Sequence, residues 1–438
     1  MSHYKPYPAY RDSGVEWIGR VPEHWARASI KHILSSPITD GPHETPVFLN
    51  EGVEFLSVDG IQDGELVFEG KRFISCEDHA RFCKKAKPQL NDVLVGKSAS
   101  VGKVARVKTS NDFNVWSPLA ILRPEPTKCN PAYLEFALKA DPAQQQILLA
   151  GNTSTQANIG MDRLASVGIP LPPIGEQHQL TQAIEQENTR IDALITKKSR
   201  FIELLKEKRQ ALITHAVTKG LDPNVKMRDS GVEWIGEVPE HWVAIKFNHV
   251  ARVTEGLVDP KAHPYREMVL IAPNHIESGT GKILGLETAV FQNAESGKYT
   301  CKKGAVIYSK IRPALAKVAI APCDCLCSAD MYPMDCTDRT YPEWLFYLML
   351  SPPFTSWAIL ESDRVAMPKI NRESLADLRV FLPPMDEQLA AVAWLKAQVE
   401  KLEIVSLKTQ HSIDLLKERR AAFITAAVTG QIDLRESA

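Results

Sequence analysis

Three loops in the first half of the chain carry side chains that could bind a nucleic acid. Base edges are read by hydrogen-bond donors and acceptors, whereas phosphates are contacted by Lys, Arg, small hydroxyls and backbone N–H groups. The loops span residues 41–45, 97–103 and 152–158, and each could instead be an ordinary solvated loop. The candidate DNA-contacting residues in them are His43, Thr45, Lys97, Ser98, Ser100, Lys103, Thr153, Thr155, Gln156 and Asn158.

The second half offers candidates at corresponding positions, again with a solvated loop as the alternative. They are Asn274, Lys310, Arg312, Lys317 and Arg364. The side chains differ in kind from those of the first half, so the sequence predicts two unlike half-sites and an asymmetric target.

One tetrad suggests catalysis. Ser351-Pro352-Pro353-Phe354 resembles the (N/D/S)-P-P-(Y/F) motif of amino-methyltransferases, and an apolar run precedes it. A cofactor-binding methyltransferase also needs a glycine-rich loop after a strand, which is missing here. The tetrad corresponds to residues 140–143 of the first half, after a similar apolar run, so we interpret it as a helix end. No catalytic residue and no cofactor are expected in this chain.

Two other motifs have simpler explanations. Gly279-Thr280-Gly281-Lys282 hints at a phosphate loop, but the Walker pattern needs glycine where Ile276 stands, so a strand turn is favoured. Cys323, Cys325 and Cys327 have one-residue gaps, whereas thiolate ligands of metals are commonly two to four residues apart. We interpret them as small apolar residues of a strand and expect no metal site.

The sequence is an internal duplication. Residues 11–26 return almost unchanged as 228–243, 171–177 as 382–388, and 204–222 as 415–433. His24 and His241 occupy matched places in this repeat, which indicates a packing or capping role. The repeated tryptophans, expected in the core, are Trp17, Trp25, Trp234 and Trp242.

Each half ends in a long helical segment that opens with two prolines, which are tolerated in a first turn. The first segment, from Pro173 to about Lys219, would be roughly 65–70 Å long at 1.5 Å per residue. An antiparallel pair of such helices is favoured over separate coils that depend on a partner. A heptad-like stripe predicts the helix–helix interface, with Leu180, Ile184, Ile191, Leu194, Phe201, Leu205, Leu212, Leu395, Leu402, Val405, Leu416 and Phe423.

The predicted fold class is therefore α+β. It has two similar mixed α/β domains separated by two long antiparallel helices that form a coiled coil with pseudo-two-fold symmetry. Short apolar runs such as 55–58, 92–96, 103–107 and 119–124 predict strands, whereas 133–139 and 344–350 predict helices. The expected divisions are 1–170, 171–222, 223–381 and 382–438.

Composition restricts the class of protein. The net charge of −1 is unusual for a dedicated non-specific DNA binder, so basic surfaces must be local, and partners are expected to add phosphate attraction. There is no apolar stretch of membrane-spanning length, and the first residues have no signal-peptide core, so a cytoplasmic protein without membrane attachment is expected. The 8 cysteines are then expected to be reduced.

Several segments together resemble one family. Residues 7–25, 40–48, 56–64 and the two LPPxxEQ helix starts at Leu171 and Leu382 are similar to the specificity subunit of type I restriction-modification enzymes. The match covers nearly the whole chain, in both halves and in order.

The resemblance implies a non-catalytic subunit that binds double-stranded DNA. Each variable part would be a target-recognition domain for one half of a bipartite site. The helices would set the spacer and dock modification (methyltransferase) subunits, expected to number two, which carry S-adenosylmethionine and methylate adenine N6. Restriction subunits would add ATP-dependent translocation and cleavage. A DNA methyltransferase, or a coiled-coil adaptor without DNA selectivity, remain the alternatives.

Overall fold

The computed structural model describes residues 4–70, 72–151, 158–232, 235–362 and 368–435. The chain divides into two compact units. Unit 1 comprises Met1–Lys198 and His411–Ala438, and unit 2 comprises Ser199–Gln410. Each unit therefore contains one mixed α/β domain together with part of each long helical segment.

The domain of unit 1 (domain 1) is built from short strands and four short helices among its described residues. The strands are β1 (Tyr10–Asp12), β2 (Arg20–Pro22), β3 (Ala26–Ser29), β4 (Thr39–Asp40), β5 (Val53–Leu56), β6 (Ile61–Gln62), β7 (Glu65–Leu66), β8 (Arg72–Ile74), β9 (Val93–Gly96), β10 (Val104–Arg106), β11 (Phe113–Val115), β12 (Leu119–Leu122) and β13 (Gly168–Leu171). The helices are α1 (Cys76–Cys83), α2 (Pro131–Lys139), α3 (Asp141–Ala150) and α4 (Met161–Ser166). The long helix α5 (Ile174–Thr218) follows.

The domain of unit 2 (domain 2) has a similar order, with fewer strands and helices among its described residues. Its strands are β14 (Met227–Asp229), β15 (Glu237–Pro239), β16 (Val243–Lys246), β17 (Ala251–Val253), β18 (Leu270–Ile271), β19 (Tyr299–Cys301), β20 (Val306–Ser309), β21 (Val318–Ile320), β22 (Cys325–Cys327), β23 (Met331–Cys336) and β24 (Arg379–Leu382). Its helices are α6 (Pro342–Leu350), α7 (Pro352–Ser362) and α8 (Arg372–Asp377), and α9 (Met385–Val428) is the second long helix. The expected α+β class, with two similar domains and linking long helices, is confirmed.

The four-stranded sheets of the two domains have the same strand order. It is β10-β9-β12-β4 in domain 1 and β21-β20-β23-β17 in domain 2. Strand β9 is buried on both faces, with Val93 and Val95 in one hydrophobic cluster and Leu94 in another. This double burial explains why the strand is a continuous apolar run without polar alternation.

The three-stranded sheets differ between the domains. Both contain a parallel pair, β5 with β11 in domain 1 and β18 with β22 in domain 2. The third strand joins the earlier member of the pair in domain 1 (β8 on β5) but the later member in domain 2 (β19 on β22). The duplicated framework therefore carries locally different sheets.

The cysteine run forms a strand, as its alternation predicts. Cys325 and Cys327 on β22 pack in one cluster with Cys301, whereas Leu326 faces a second cluster with Leu270. No group of His, Cys, Asp and Glu suited to a metal ion occurs among the residues that the structure describes.

Within each unit the two long helices pack in antiparallel directions. In unit 1 the start of α5, with Leu180 and Ile184, shares a core with the end of α9, with Phe423 and Ile424. In unit 2 the end of α5, with Ile213, shares a core with the start of α9, including Leu395. Glu187 on α5 also pairs with Arg419 on α9 at 2.8 Å.

Burial along the helices differs from the predicted stripe. Leu180, Ile184, Ile191, Leu205, Leu395 and Phe423 are buried, and Leu212, Leu402 and Leu416 are partly buried. Three predicted interface residues are exposed, which corrects their assignment: Leu194 by 39%, Phe201 by 44% and Val405 by 39%. An α-helix drifts about 20° per heptad from a strict seven-residue repeat, so burial moves to neighbouring positions. Ile213 is buried next to the partly buried Leu212. Ile413 is buried one helical turn before the partly buried Leu416.

A carboxylate at each helix start receives the repeated His-Trp pair. Trp25 Nε1 donates to Glu176 Oε1 at 3.1 Å, and His24 Nε2 lies 2.8 Å from the other oxygen. The copy in unit 2 has Trp242 and His241 on Glu387, at 3.0 and 2.6 Å. The buried indoles of Trp25 and Trp242 agree with their expected core position, but Trp17 is 40% exposed, and Trp234 lies outside the described residues.

The glutamine that follows each of these glutamates ties the long helix to the domain. Gln177 Oε1 accepts from the N–H of Asn130 at 2.8 Å, next to the start of α2. Gln388 Oε1 accepts in the same way from Tyr341, next to α6, at 2.8 Å. The repeated Glu-Gln dipeptide thus links each long helix to two parts of its domain. The glutamate binds the Trp that precedes β3 or β16, and the glutamine binds the start of α2 or α6.

The two ends of the described sequence meet in unit 1. The N–H of Asp433 donates to the carbonyl oxygen of Lys5 at 2.8 Å, and the Arg435 guanidinium lies 4.8 Å from the ring centroid of Tyr7. Leu434 is 1% exposed. The last residues of the duplication therefore complete the core of domain 1.

Candidate nucleic-acid interface

A buried carboxylate in domain 1 holds three basic side chains. Asp40 is 1% exposed, with Lys85 Nζ 2.6 Å from Oδ1 and Lys97 Nζ 3.0 Å from Oδ2. His43 Nε2 lies 3.0 Å from the same Oδ2. Burial alone would raise the pKa of Asp40, but hydrogen bonds from the two ammonium groups outweigh it and lower the pKa below its ordinary value of 3.8. The ionised carboxylate therefore fixes these cations in place.

The loop that follows β9 lies beside the segment that precedes α4. Ile159 N–H donates to the Lys97 carbonyl at 2.8 Å, and Ser98 forms an antiparallel β-bridge with Asn158. Ser100 N–H donates to the Ser98 carbonyl at 2.7 Å. With the Asp40–Lys97 ion pair, these contacts bring the loops of His43 and Lys97 together with Asn158, the described residue of the third predicted loop. We call His43, Lys97–Ser100 and Asn158 loop cluster 1.

Two other predicted residues of domain 1 differ in their surroundings. Thr45, two residues after His43, is exposed. Lys103 is exposed, but its Nζ donates to the Ile61 carbonyl at 3.0 Å and so holds the start of the β6–β7 hairpin. The bond to Ile61 thus gives Lys103 a structural role, although the sequence predicted this lysine as a DNA contact.

Domain 2 assembles an equivalent cluster. Ile370 N–H donates to the Lys310 carbonyl at 3.0 Å, and Ile311 forms an antiparallel bridge with Lys369, as Ser98 does with Asn158. Lys310 Nζ lies 5.2 Å from the ring centroid of Tyr332. An aromatic face thus holds Lys310 where a carboxylate holds Lys97. We call Lys310–Arg312 and Lys369 loop cluster 2.

Lys317 corresponds to Lys103 and makes the corresponding bond. Its Nζ donates to the Pro273 carbonyl at 2.5 Å. Asn274 follows in the same 3-10 turn, Pro273–His275, and is exposed. The four remaining predicted residues lie outside the described part of the chain: Thr153, Thr155, Gln156 and Arg364.

Sequence reasoning missed Lys85, Asp40 and Lys369. Lys369 was detectable, because it aligns with the nominated Asn158 in the repeat. Lys85 was not, because it lies 45 residues from its partner Asp40 and follows α1, with no motif around it.

The two clusters present different chemistry on the same backbone. Cluster 1 offers hydroxyls, an amide and a histidine, and its lysine is neutralised by Asp40. In cluster 2 neither Arg312 nor Lys369 makes a side-chain hydrogen bond or ion pair with the described residues, and both are exposed. Cluster 2 is therefore the more cationic.

A cleft of about 1230 Å³ in unit 1 is lined by the β6–β7 hairpin, β10 and both long helices. Its wall is charged, but the charges are paired: Arg106 lies 3.2 Å from Glu135 and 3.2 Å from Glu185. Such a wall stabilises the contact of domain 1 with the helices and offers few free cations to phosphates.

Comparison with known proteins decides the family. A family model described as "Type I restriction modification DNA specificity domain" matches residues 48–204 and 239–415, one match in each half. This chain belongs to that family. The resemblance seen in the sequence motifs is therefore confirmed.

Curated relatives are specificity subunits of the same class. The chain is 26% identical to the specificity subunit of the type I restriction enzyme EcoDI of Escherichia coli, over 80% of this chain and 81% of the relative. It is 23% identical to the putative MjaX specificity subunit of Methanocaldococcus jannaschii, over 95% of this chain and 96% of that one.

Two solved structures share the fold. A chain from a study of "complex assembly and conformational transition of the type I R-M system" superposes with a TM-score of 0.68 at 14% identity, covering 93% of this chain and 98% of that chain. The HsdS subunit from Thermoanaerobacter tengcongensis gives 0.51 at 16% identity, with 94% and 98% covered.

The methyltransferase alternative has no support in these comparisons. The Ser351–Phe354 tetrad forms the junction between α6 and α7, where Ser351 and Phe354 are buried. Phe354 packs edge-on to Tyr308, with ring centroids 5.6 Å apart.

Among the described helices, none is both long and apolar enough to cross a membrane.

Proposed function

We propose that this specificity-family chain reads an asymmetric, bipartite site in double-stranded DNA, one half with each domain. The observation that carries the proposal is the pair of loop clusters. Equivalent backbones present Lys97-Ser98-Ala99 and Asn158 in one domain, and Lys310-Ile311-Arg312 and Lys369 in the other. One framework with two sets of side chains suits two different half-sites.

The long helices would set the spacer between the half-sites and dock modification subunits. Two such methyltransferase subunits would carry S-adenosylmethionine and perform adenine methylation, and restriction subunits would add ATP-dependent translocation and cleavage. The chain itself would work without cofactor or catalysis, in the cytoplasm. Its near-neutral charge fits a subunit whose partners supply part of the attraction to phosphates.

The proposal is tested by methylation-aware sequencing of DNA from cells that express this chain with its modification partner. We expect one motif made of two unlike half-sites and a gap of fixed length. Methylation at a contiguous or palindromic motif would contradict the two-domain assignment. Methylation without any motif would indicate an adaptor that lacks DNA selectivity.

The spacer role has its own test. Seven residues inserted into α5 and seven at the paired level of α9 add about 10 Å at 1.5 Å per residue, or about three base pairs at 3.4 Å each. The gap should lengthen by about that amount, and both half-sites should stay the same. An unchanged gap would show that the helices do not set the spacing.

A further inference from the structure

Arg312 and Ala99 occupy equivalent positions with the same unusual backbone. Each lies two residues after a lysine, and the carbonyl of that lysine accepts from the N–H of Ile159 before α4 or of Ile370 before α8. Arg312 has φ of 49° and Ala99 has φ of 63°, both in the left-handed region. The residues that precede Lys317 and Lys103 also have positive φ, with Ala316 at 43° and Gly102 at 90°. The two loops therefore share left-handed residues near both ends, although the loop of domain 2 is one residue longer and the side chains differ.

A non-glycine residue keeps a left-handed conformation only where its surroundings enforce it. Here Arg312 N–H donates to the Pro368 carbonyl at 3.1 Å, and the Arg312 carbonyl accepts from Leu315 N–H at 2.9 Å. Pro313 follows at once and is buried. A residue before proline ordinarily favours an extended backbone, so these hydrogen bonds hold the left-handed conformation of Arg312 against that preference. The Cα–Cβ bond of Arg312 is consequently held in one direction.

The side chain on this rigid base has no partner in the described part of the chain. Its neighbours do: Lys310 lies over the Tyr332 ring at 5.2 Å, and Lys317 donates to the Pro273 carbonyl at 2.5 Å. Arg312 is exposed, so its guanidinium is available to a ligand. In domain 1 the equivalent Ala99 has only a methyl group to offer.

We propose that Arg312 reads a guanine in the half-site recognised by domain 2. A guanidinium donates two parallel hydrogen bonds, which match O6 and N7 of guanine in the major groove. A fixed backbone favours such a directional contact, whereas a phosphate contact tolerates displacement and suits a flexible lysine such as Lys369. This proposal rests on the proposed function and adds the base and the residue that reads it.

The test compares two glycine substitutions at the two left-handed positions of the domain 2 loop, Arg312 and Ala316. Glycine adopts this conformation without strain, so Arg312→Gly and Ala316→Gly should both fold. The variants are expressed with the modification partner, and methylation is mapped by sequencing. Arg312→Gly should lower the preference for guanine at one position of one half-site by about ten- to a hundred-fold. Ala316→Gly, which lies outside loop cluster 2, should leave both half-sites unchanged.

Three results would overturn the assignment of guanine reading to Arg312. The Arg312→Gly variant could retain the wild-type preference at every position, or it could lose methylation evenly at all sites, as for a phosphate contact. The Ala316→Gly control could also lose the same preference, which would indicate an effect of the loop backbone and not of the guanidinium. None of these touches the proposed function, which fails only if the wild-type chain itself shows no two-part motif.

Discussion

The Trp25 indole N–H donates to the Glu176 carboxylate at 3.1 Å, and Trp242 repeats this contact with Glu387 at 3.0 Å. Each bond joins the start of a recognition domain to the start of the long helix that ends it. The duplicated sequence thus encodes the same junction twice. The copies differ in burial, because the Glu176 side chain is 7% exposed and that of Glu387 is 38% exposed.

The difference in burial predicts unequal costs for the same substitution. Glu176→Ala should lower the free energy of unfolding of unit 1 by about 2–4 kcal/mol, since the buried Trp25 N–H and Tyr7 hydroxyl lose their acceptor. Glu387→Ala should cost about 1 kcal/mol, because water can replace the carboxylate. Urea denaturation of the full chain measures both. Equal costs would show that burial does not govern this junction.

The helix pair can be tested at a buried and at an exposed apolar position of α5. Ile184→Asp places a carboxylate in a fully buried site and should destabilise unit 1 by about 3–5 kcal/mol. Leu194→Asp, at 39% exposure, should change stability by no more than about 0.5 kcal/mol. Thermal unfolding followed by circular dichroism distinguishes them. A severe effect of Leu194→Asp on the isolated chain would restore that residue to the helix interface.

Asp40 predicts a pH dependence. Its pKa is lowered in the folded state, so its stabilising contribution is present above about pH 4, the unfolded value, and disappears as pH falls through the folded pKa. Asp40→Asn should therefore destabilise domain 1 at pH 7 by about 1–3 kcal/mol, since Lys97 and Lys85 lose their counter-charge. Unfolding free energies measured from pH 7 down to 3 should show the gap between wild type and variant narrowing below about pH 4. A gap that widens on acidification would contradict this sign.

Two lysines of domain 2 should respond differently to salt when the complex binds DNA. Lys369 is exposed and free of side-chain partners among the described residues, so Lys369→Ala should weaken binding to all sequences and reduce the slope of log K against log salt by about one. Lys317 already donates to Pro273, so Lys317→Ala should leave that slope unchanged while lowering stability. A slope for Lys369→Ala equal to that of the wild type would remove Lys369 from the DNA surface.

Much of this architecture could be predicted from the sequence because it depends on local patterns. Helix α5 was expected from Pro173 to about Lys219 and runs over Ile174–Thr218, because the prolines fix its start. The strands β9 and β12 follow from their apolar runs. The equivalence of Lys97 with Lys310 follows from the duplication, and the structure gives both the same backbone bond.

Contacts between distant segments could not be predicted in this way. The ion pair of Lys85 with Asp40 and the bond of Lys317 to Pro273 join residues more than 40 positions apart, and either lysine could equally have faced solvent. The exposure of Leu194 and Phe201 depends on how two helices pack along their length, which a single apolar stripe does not specify. The left-handed backbone at Arg312 has no composition signal, because glycine is absent there.

The bond between Asp433 and Lys5 brings the first and last described segments of unit 1 together in one core. Because these segments lie side by side, a short linker could join them and the chain could begin elsewhere. A gene that joined these ends and began instead at the exposed turn near Pro223 would encode the same two recognition domains in the opposite order. The order of the two domains is then set by where the chain begins, and fusion, splitting or exchange of halves could produce new specificities without a new fold.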